Sequence, residues 1–155
     1  MDNRTFYNEI LTAHNLHPYN KHPMENPGVW MRGVNPSCGD DILLQLTIED
    51  GIIKDGSFVG TGCAISQASA DIMLDLILGK TTEEALRLKD IFLRMIKGGV
   101  EEEELEELDE AICLRDVSHM PTRVKCAVLG WHTLEEILKK PEAEEGASPL
   151  QTTTE

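Results

Sequence analysis

The stretch Phe58-Val59-Gly60-Thr61-Gly62-Cys63-Ala64-Ile65-Ser66 turns a β-like run into a segment with helical spacing. Two glycines at the bend permit dihedrals that a side chain forbids, and they leave room for a ligand or partner to reach the thiol. Cys63 falls at the first turn of the following helix. Unpaired N–H groups and the helix dipole there favour a thiolate over a thiol. Structural cysteines sit more often in mid-element, so this placement points toward chemistry.

Upstream of the corner, Ile42, Leu44, Leu46 and Ile48 alternate with Asp41, Leu43, Gln45 and Thr47, the period of a half-buried strand. Glu49-Asp50-Gly51 closes a hairpin, because Asp-Gly supplies the positive φ of such turns. The return strand spans 52–59, and its blurred alternation near Gly56 predicts a bulge. Residues 28–34 suit a shorter strand, and residues 5–16 a helix that His17-Pro18 ends. Residues 20–27, with two prolines, read as a mobile connector.

Downstream, Ile65, Ala68, Ile72 and Leu76 form one helical stripe that Gly79 ends. Thr81-Thr82-Glu83-Glu84 is a capping box for a second helix striped by Ala85, Leu88, Phe92 and Met95. Residues 101–110 are almost wholly acidic, yet Leu105, Leu108 and Ile112 keep helical spacing, which predicts a solvated helix face. Pro121-Thr122 starts a last helix whose buried side is Val124, Ala127, Val128, Trp131, Leu134 and Leu138. Residues 141–155 hold almost nothing to bury and read as a disordered acidic tail after a single domain, 1–140. Strands first, helices after and a hairpin between strands give α+β. The expected architecture is a three-stranded antiparallel sheet with four to five helices packed mainly on one face.

The chain carries 28 Asp plus Glu against 14 Lys plus Arg, a net charge of −14. That balance argues against nucleic acid and against an anionic membrane surface. No stretch approaches the ~20 apolar residues of a membrane span, and Met1-Asp2-Asn3-Arg4 opens without a secretory pattern. A cytoplasmic location is expected. The four cysteines in a reducing compartment then read as metal ligands or nucleophiles before disulfides.

Three of them stand at element boundaries: Cys38 before a strand, Cys63 at a helix start and Cys126 near another. Asp40, two residues beyond Cys38, can face the same cavity from the adjoining loop. Cys38, Asp40, Cys63 and Cys126 would make a three-sulfur, one-oxygen tetrahedron, which suits zinc. The alternative is three unrelated small apolar residues, and without a C-x-x-C pair spacing alone leaves both open. Arg123, three residues before Cys126, would offset the excess negative charge of such a site, or would simply be a surface arginine. Cys113, between Ile112 and Leu114, reads as packed core. His119 lies near a proposed ligand but reads as a loop residue.

Asn35-Pro36-Ser37-Cys38-Gly39-Asp40, Gly60-Thr61-Gly62-Cys63-Ala64-Ile65-Ser66 and Pro121-Thr122-Arg123-Val124-Lys125-Cys126-Ala127 resemble the iron–sulfur cluster assembly proteins of the IscU/NifU type, most closely the SufU branch. The resemblance covers about residues 5–140. Where IscU-type scaffolds place a histidine directly before the third cysteine, this chain has Lys125. Where they carry a Leu-Pro-Pro-Val-Lys segment, it has Met120-Pro121-Thr122-Arg123-Val124-Lys125. The added helical stretch at 82–110 also resembles SufU.

The resemblance implies a zinc-dependent sulfurtransferase that accepts persulfide sulfur on Cys38 from a cysteine desulfurase of the SufS type. It further implies that a histidine of the desulfurase takes over one zinc position, freeing Cys38; Arg123 would then steady the freed thiolate or a carboxylate at the docking face. Downstream iron–sulfur assembly proteins are the implied further partners. The alternatives are a scaffold that assembles a transient iron–sulfur cluster on the same ligands, and a zinc-stabilised docking module.

Overall fold

The computed structural model describes residues 3–139 and 150–153. Helix α1 (Asn3–Leu16) precedes three antiparallel strands, β1 (Val29–Asn35), β2 (Asp40–Glu49) and β3 (Ile52–Thr61). Then follow α2 (Ala64–Ile77), α3 (Thr82–Lys97), the short α4 (Glu102–Leu105), a 3₁₀ segment (Glu106–His119) and α5 (Pro121–Lys139). The antiparallel sheet and the five helices match the architecture expected from the sequence.

Period two sets the layers. Val29, Met31, Ile42, Leu44, Leu46, Ile53 and Phe58 face inward and are buried, while Arg32 and Asp41 pair on the opposite face. α5 lies across β1 and β2, and α2 against β3. Trp131 of α5 stacks on Phe92 of α3 at 4.2 Å and donates through Nε1 to Ser69 Oγ of α2 at 3.1 Å. Ser69 Oγ in turn donates to the Ala127 carbonyl at 2.6 Å, which fixes α5 along α2. The hairpin turn has the expected positive φ at Asp50 and Gly51.

Several expectations change in contact with the fold. Leu150–Thr153, within the stretch read as a disordered tail, pair in parallel with β1 as strand β4, so the sheet order is β3-β2-β1-β4. β1 is otherwise an open edge, and a proline-free Leu-Gln-Thr-Thr run can satisfy its ladder. The other residues beyond Lys139 lie outside the described ones.

The bulge falls at Lys54 rather than Gly56, since Thr47 pairs with Asp55 and Ile48 with Ile53. Gly56 serves close packing instead: a Cβ there would meet Leu46 Cδ2 at 2.8 Å and Leu74 Cδ2 at 2.9 Å. α2 is buried nearly all round, not along one stripe, because α1, α5, β3 and the 3₁₀ segment surround it.

The acidic stretch is not one helix. It breaks at Asp109 (φ 49°) into 3₁₀ turns, and Glu104 and Glu107 pair with Arg94 and Arg87 of α3. The connector at 20–27 is anchored at its start, where Asn20 is buried and donates to Asp71 Oδ1 and Asp75 Oδ1 at 2.8 Å each. No helix among the described residues is long and apolar enough to cross a membrane.

Candidate metal centre

Asn35 and Asp40 are the last register pair of the β1–β2 hairpin. They share the inward parity of Met31 and Ile42, so the alternation that builds the core carries a polar pair to its end. Both side chains are fully buried. The turn between them presents Cys38, half-buried, and Gly39 at φ 73° lets the chain double back into β2.

The β3–α2 corner meets this hairpin end. Cys63 is the N-cap of α2, its Sγ accepting from the Ser66 N–H at 3.4 Å. Asp40 Oδ1 accepts from the Cys63 N–H at 2.8 Å and from Ser66 Oγ at 3.1 Å, which places a carboxylate at a helix N-terminus. Gly62 is required by closeness: a Cβ would lie 2.9 Å from Asp40 Oδ1 and collide with Ser66 Oγ.

Cys126, on the second turn of α5, comes in from the third side. The Sγ atoms of Cys38 and Cys126 both approach the Thr122 carbonyl, at 3.9 Å each. Ligand atoms of Cys38, Asp40 and Cys126 all lie within 4.8 Å of one another. Cys63 Sγ, engaged as the cap, stands outside that envelope, yet it is close enough to act on Cys126.

Burial opposes the charged form of Asp40. Donors from Cys63 N–H, Cys126, Asn35 and Ser66 outweigh it and hold the carboxyl below its usual range. Burial first, then Cys38, Asp40 and Cys63 beside it, push the Cys126 thiol up. None of the donors around Asp40 is a cation. A buried carboxylate with two thiols beside it, a third at the adjoining helix cap and no lysine or arginine among its hydrogen-bond donors is a set that suits a divalent zinc ion in softness and number.

Arg123 and Lys125 flank this point on α5. Arg123 is exposed, on the first turn, and Lys125 is half-buried. His119 is exposed at the end of the 3₁₀ segment, away from any hydrogen bond to the cysteines among the described residues. Cys113 is buried within the core, and burial pushes its thiol up to about 12, as suits a packed apolar residue. Sequence reasoning did not single out Asn35 or Ser66. The signal was present: Asn35 has the parity of Met31, and Ser66 stands three residues after the cap.

Residues 6–145 match the model of the NifU-like N-terminal domain. The iron–sulfur cluster assembly scaffold protein IscU of Thermotoga maritima is 43% identical over 117 residues, covering 76% of this chain and 81% of that protein. The zinc-dependent sulfurtransferase SufU of Bacillus subtilis is 37% identical over 138 residues, covering 89% of this chain and 92% of that protein. Among solved structures, a protein from Fervidobacterium islandicum AW-1 described as an iron–sulfur cluster assembly scaffold for the SUF system superposes with a TM-score of 0.80 at 36% identity. It covers 88% of this chain and 99% of that one.

Proposed function

This chain belongs to the NifU-like N-terminal domain family of iron–sulfur cluster assembly, and from that premise we propose that it is a zinc-dependent sulfurtransferase working with a cysteine desulfurase. Cys38, Asp40, Cys63 and Cys126 would hold the zinc. Bound there, the ion would keep the thiols deprotonated at neutral pH yet shielded from attack.

The observation that carries the reading is the unequal tethering of the donors. Asp40 receives hydrogen bonds from Cys63, Ser66 and Asn35, and Cys126 is buried on a helix fixed to α2. Cys38 is half-buried on a hairpin turn, and its thiol meets the Thr122 carbonyl and the neighbouring Cys126 thiol. Cys38 is therefore the donor that can leave without unwinding a helix. Its thiolate attacks the outer sulfur of the desulfurase persulfide, a new S–S bond forms, and the old one breaks. The desulfurase cysteine departs as a thiolate, so the exchange needs no outside oxidant or reductant. Arg123, exposed one turn before Cys126, would steady the freed thiolate.

The test is trapping with an alkylating reagent after reaction with desulfurase and cysteine, followed by peptide mass analysis. Extra sulfur on Cys38, in protein holding about one zinc, is the expected result. A second reading, a scaffold for a transient iron–sulfur cluster on the same donors, is favoured by the name of the Thermotoga relative. It predicts sulfur on Cys126 instead. A desulfurase stimulated with no sulfur on any cysteine would indicate a docking module.

A further inference from the structure

Asn35 is fully buried at the end of β1, and its Nδ2 reaches two of the four donors at once. One N–H points to Asp40 Oδ2 at 3.1 Å and the other to Cys126 Sγ at 3.5 Å. We propose that Asn35 is a positioning residue whose amide clamps Asp40 and Cys126 into one unit, leaving Cys38 as the donor that departs to take sulfur. The proposal rests on the sulfur-transfer reading above and names the residue that decides between the thiols.

The orientation of the amide follows from chemistry. Turned over, its carbonyl oxygen would face a carboxylate and a sulfur, both rich in lone pairs. In the orientation adopted, Asn35 Oδ1 is a buried acceptor with no hydrogen-bond partner among the described residues. Buried polar atoms are seldom left so, and a protein that leaves one gains something in exchange. Here the exchange is two N–H groups directed at two donors.

Asp40 shows what the clamp does. Oδ1 is engaged by the Cys63 N–H and by Ser66 Oγ, both from the α2 terminus. Oδ2 has Asn35 as its neighbour from the strand side, so the two oxygens are pinned from opposite elements and the carboxylate plane is fixed. Outer hydrogen bonds of this kind orient ligands and tune their donor strength.

The second N–H bears on selectivity. Cys38 and Cys126 face the same Thr122 carbonyl at the same 3.9 Å, so that contact does not distinguish them. Asn35 does, because it donates to Cys126 and not to Cys38. A hydrogen bond received by a sulfur draws off electron density and lowers its nucleophilicity. Cys126 is thereby held and quietened, and Cys38, on its turn, keeps its full reactivity.

Asn35→Asp keeps the shape and removes the donors, and Asn35→Ser shortens the side chain without adding charge. Each zinc-loaded variant would be compared with the unmodified protein by three measurements. These are zinc affinity against a chromophoric chelator, the sulfur-to-metal charge-transfer band with cobalt(II) in place of zinc, and the position of the persulfide. Both variants are expected to fold, to bind zinc about 10- to 100-fold more weakly, and to shift the cobalt band. Their persulfide should be shared between Cys38 and Cys126.

In the unmodified protein, the Asn35 side-chain amide protons should exchange slowly with solvent and move in the NMR spectrum when zinc is added. That reading stands even if a variant fails to fold, and protons that do not move overturn the clamp. Unchanged affinity and cobalt band in either folded variant, with sulfur still on Cys38 alone, would also overturn it while leaving sulfur transfer intact. If the unmodified protein takes no sulfur on any cysteine, the sulfur-transfer reading fails and selection of Cys38 fails with it. Affinity and cobalt band then decide the clamp alone.

Discussion

The backbone N–H of Cys63 donates to Oδ1 of Asp40 at 2.8 Å, binding the cap of α2 to the first residue of β2. The bond joins a helix N-terminus to a buried carboxylate and brings the β3–α2 corner against the β1–β2 hairpin. It extends the β2–β3 ladder, whose last register pair is Asp41 with Thr61, into the donor set itself.

Cys63→Ser should separate capping from metal binding. Serine is among the best N-caps, so thermal unfolding should shift little, whereas loss of a soft thiolate should weaken zinc binding by more than the ~10-fold of an outer-layer change. Cys113→Ser should do the reverse. It keeps zinc but loses about 1–3 kcal/mol of stability by burying a hydroxyl. Metal analysis beside thermal melts checks both, and equal zinc loss in the two variants would sink the ligand assignment.

Gly62→Ala replaces none of the four donor residues, yet its Cβ would lie 2.9 Å from Asp40 Oδ1 and strike Ser66 Oγ. Asp40 must then shift away from Ser66. Zinc affinity measured by chelator competition should fall, with the helical circular dichroism retained. Affinity equal to that of the unmodified protein would show that the corner tolerates a side chain.

Arg123→Ala should leave zinc content and melting temperature unchanged, because the side chain is exposed and joins no ion pair among the described residues. Turnover of the partner desulfurase should be stimulated less. Full stimulation would return Arg123 to the ordinary surface.

His14 gives the fold a pH dependence. Its Nδ1 meets Asp71 Oδ2 at 2.6 Å and its Nε2 meets Glu110 Oε2 at 2.7 Å, with Asp75 Oδ2 at 4.0 Å. Burial lowers its affinity for the proton, but the hydrogen bonds to Asp71 and Glu110 and their charges outweigh it, so its pKa is raised above 6.5. A raised folded-state value gives stability that is complete below the unfolded value and fades as pH climbs through the folded one. The stability lost in His14→Gln should therefore be largest just below about pH 6.5 and shrink as pH rises. Melting curves of both proteins over that range check it, and a gap that does not change with pH would mean that His14 is not charged.

The sequence by itself determined the elements and the thiols. Period two around Ile42 and Leu44, the Asp50-Gly51 turn, the two glycines just before Cys63 and the Pro121 start are local signals, and local signals are legible in one dimension. It also marked Cys38, Cys63 and Cys126 as boundary residues, with Asp40 in the loop beside Cys38, because boundaries let polar residues converge without breaking a core.

What it did not determine depends on chain segments far apart. Gly56 reads as a bulge until Leu46 and Leu74 close on it, and α2 reads as one stripe until four neighbours surround it. The 3₁₀ break at Asp109 follows from packing around the segment, where Glu107 reaches Arg87 and Glu110 reaches His14. β4 exists only because β1 offers an edge. Asn35 is the clearest case: an asparagine before a proline reads as a turn residue. Only the approach of Cys126, ninety-one positions later, gives its second N–H somewhere to go.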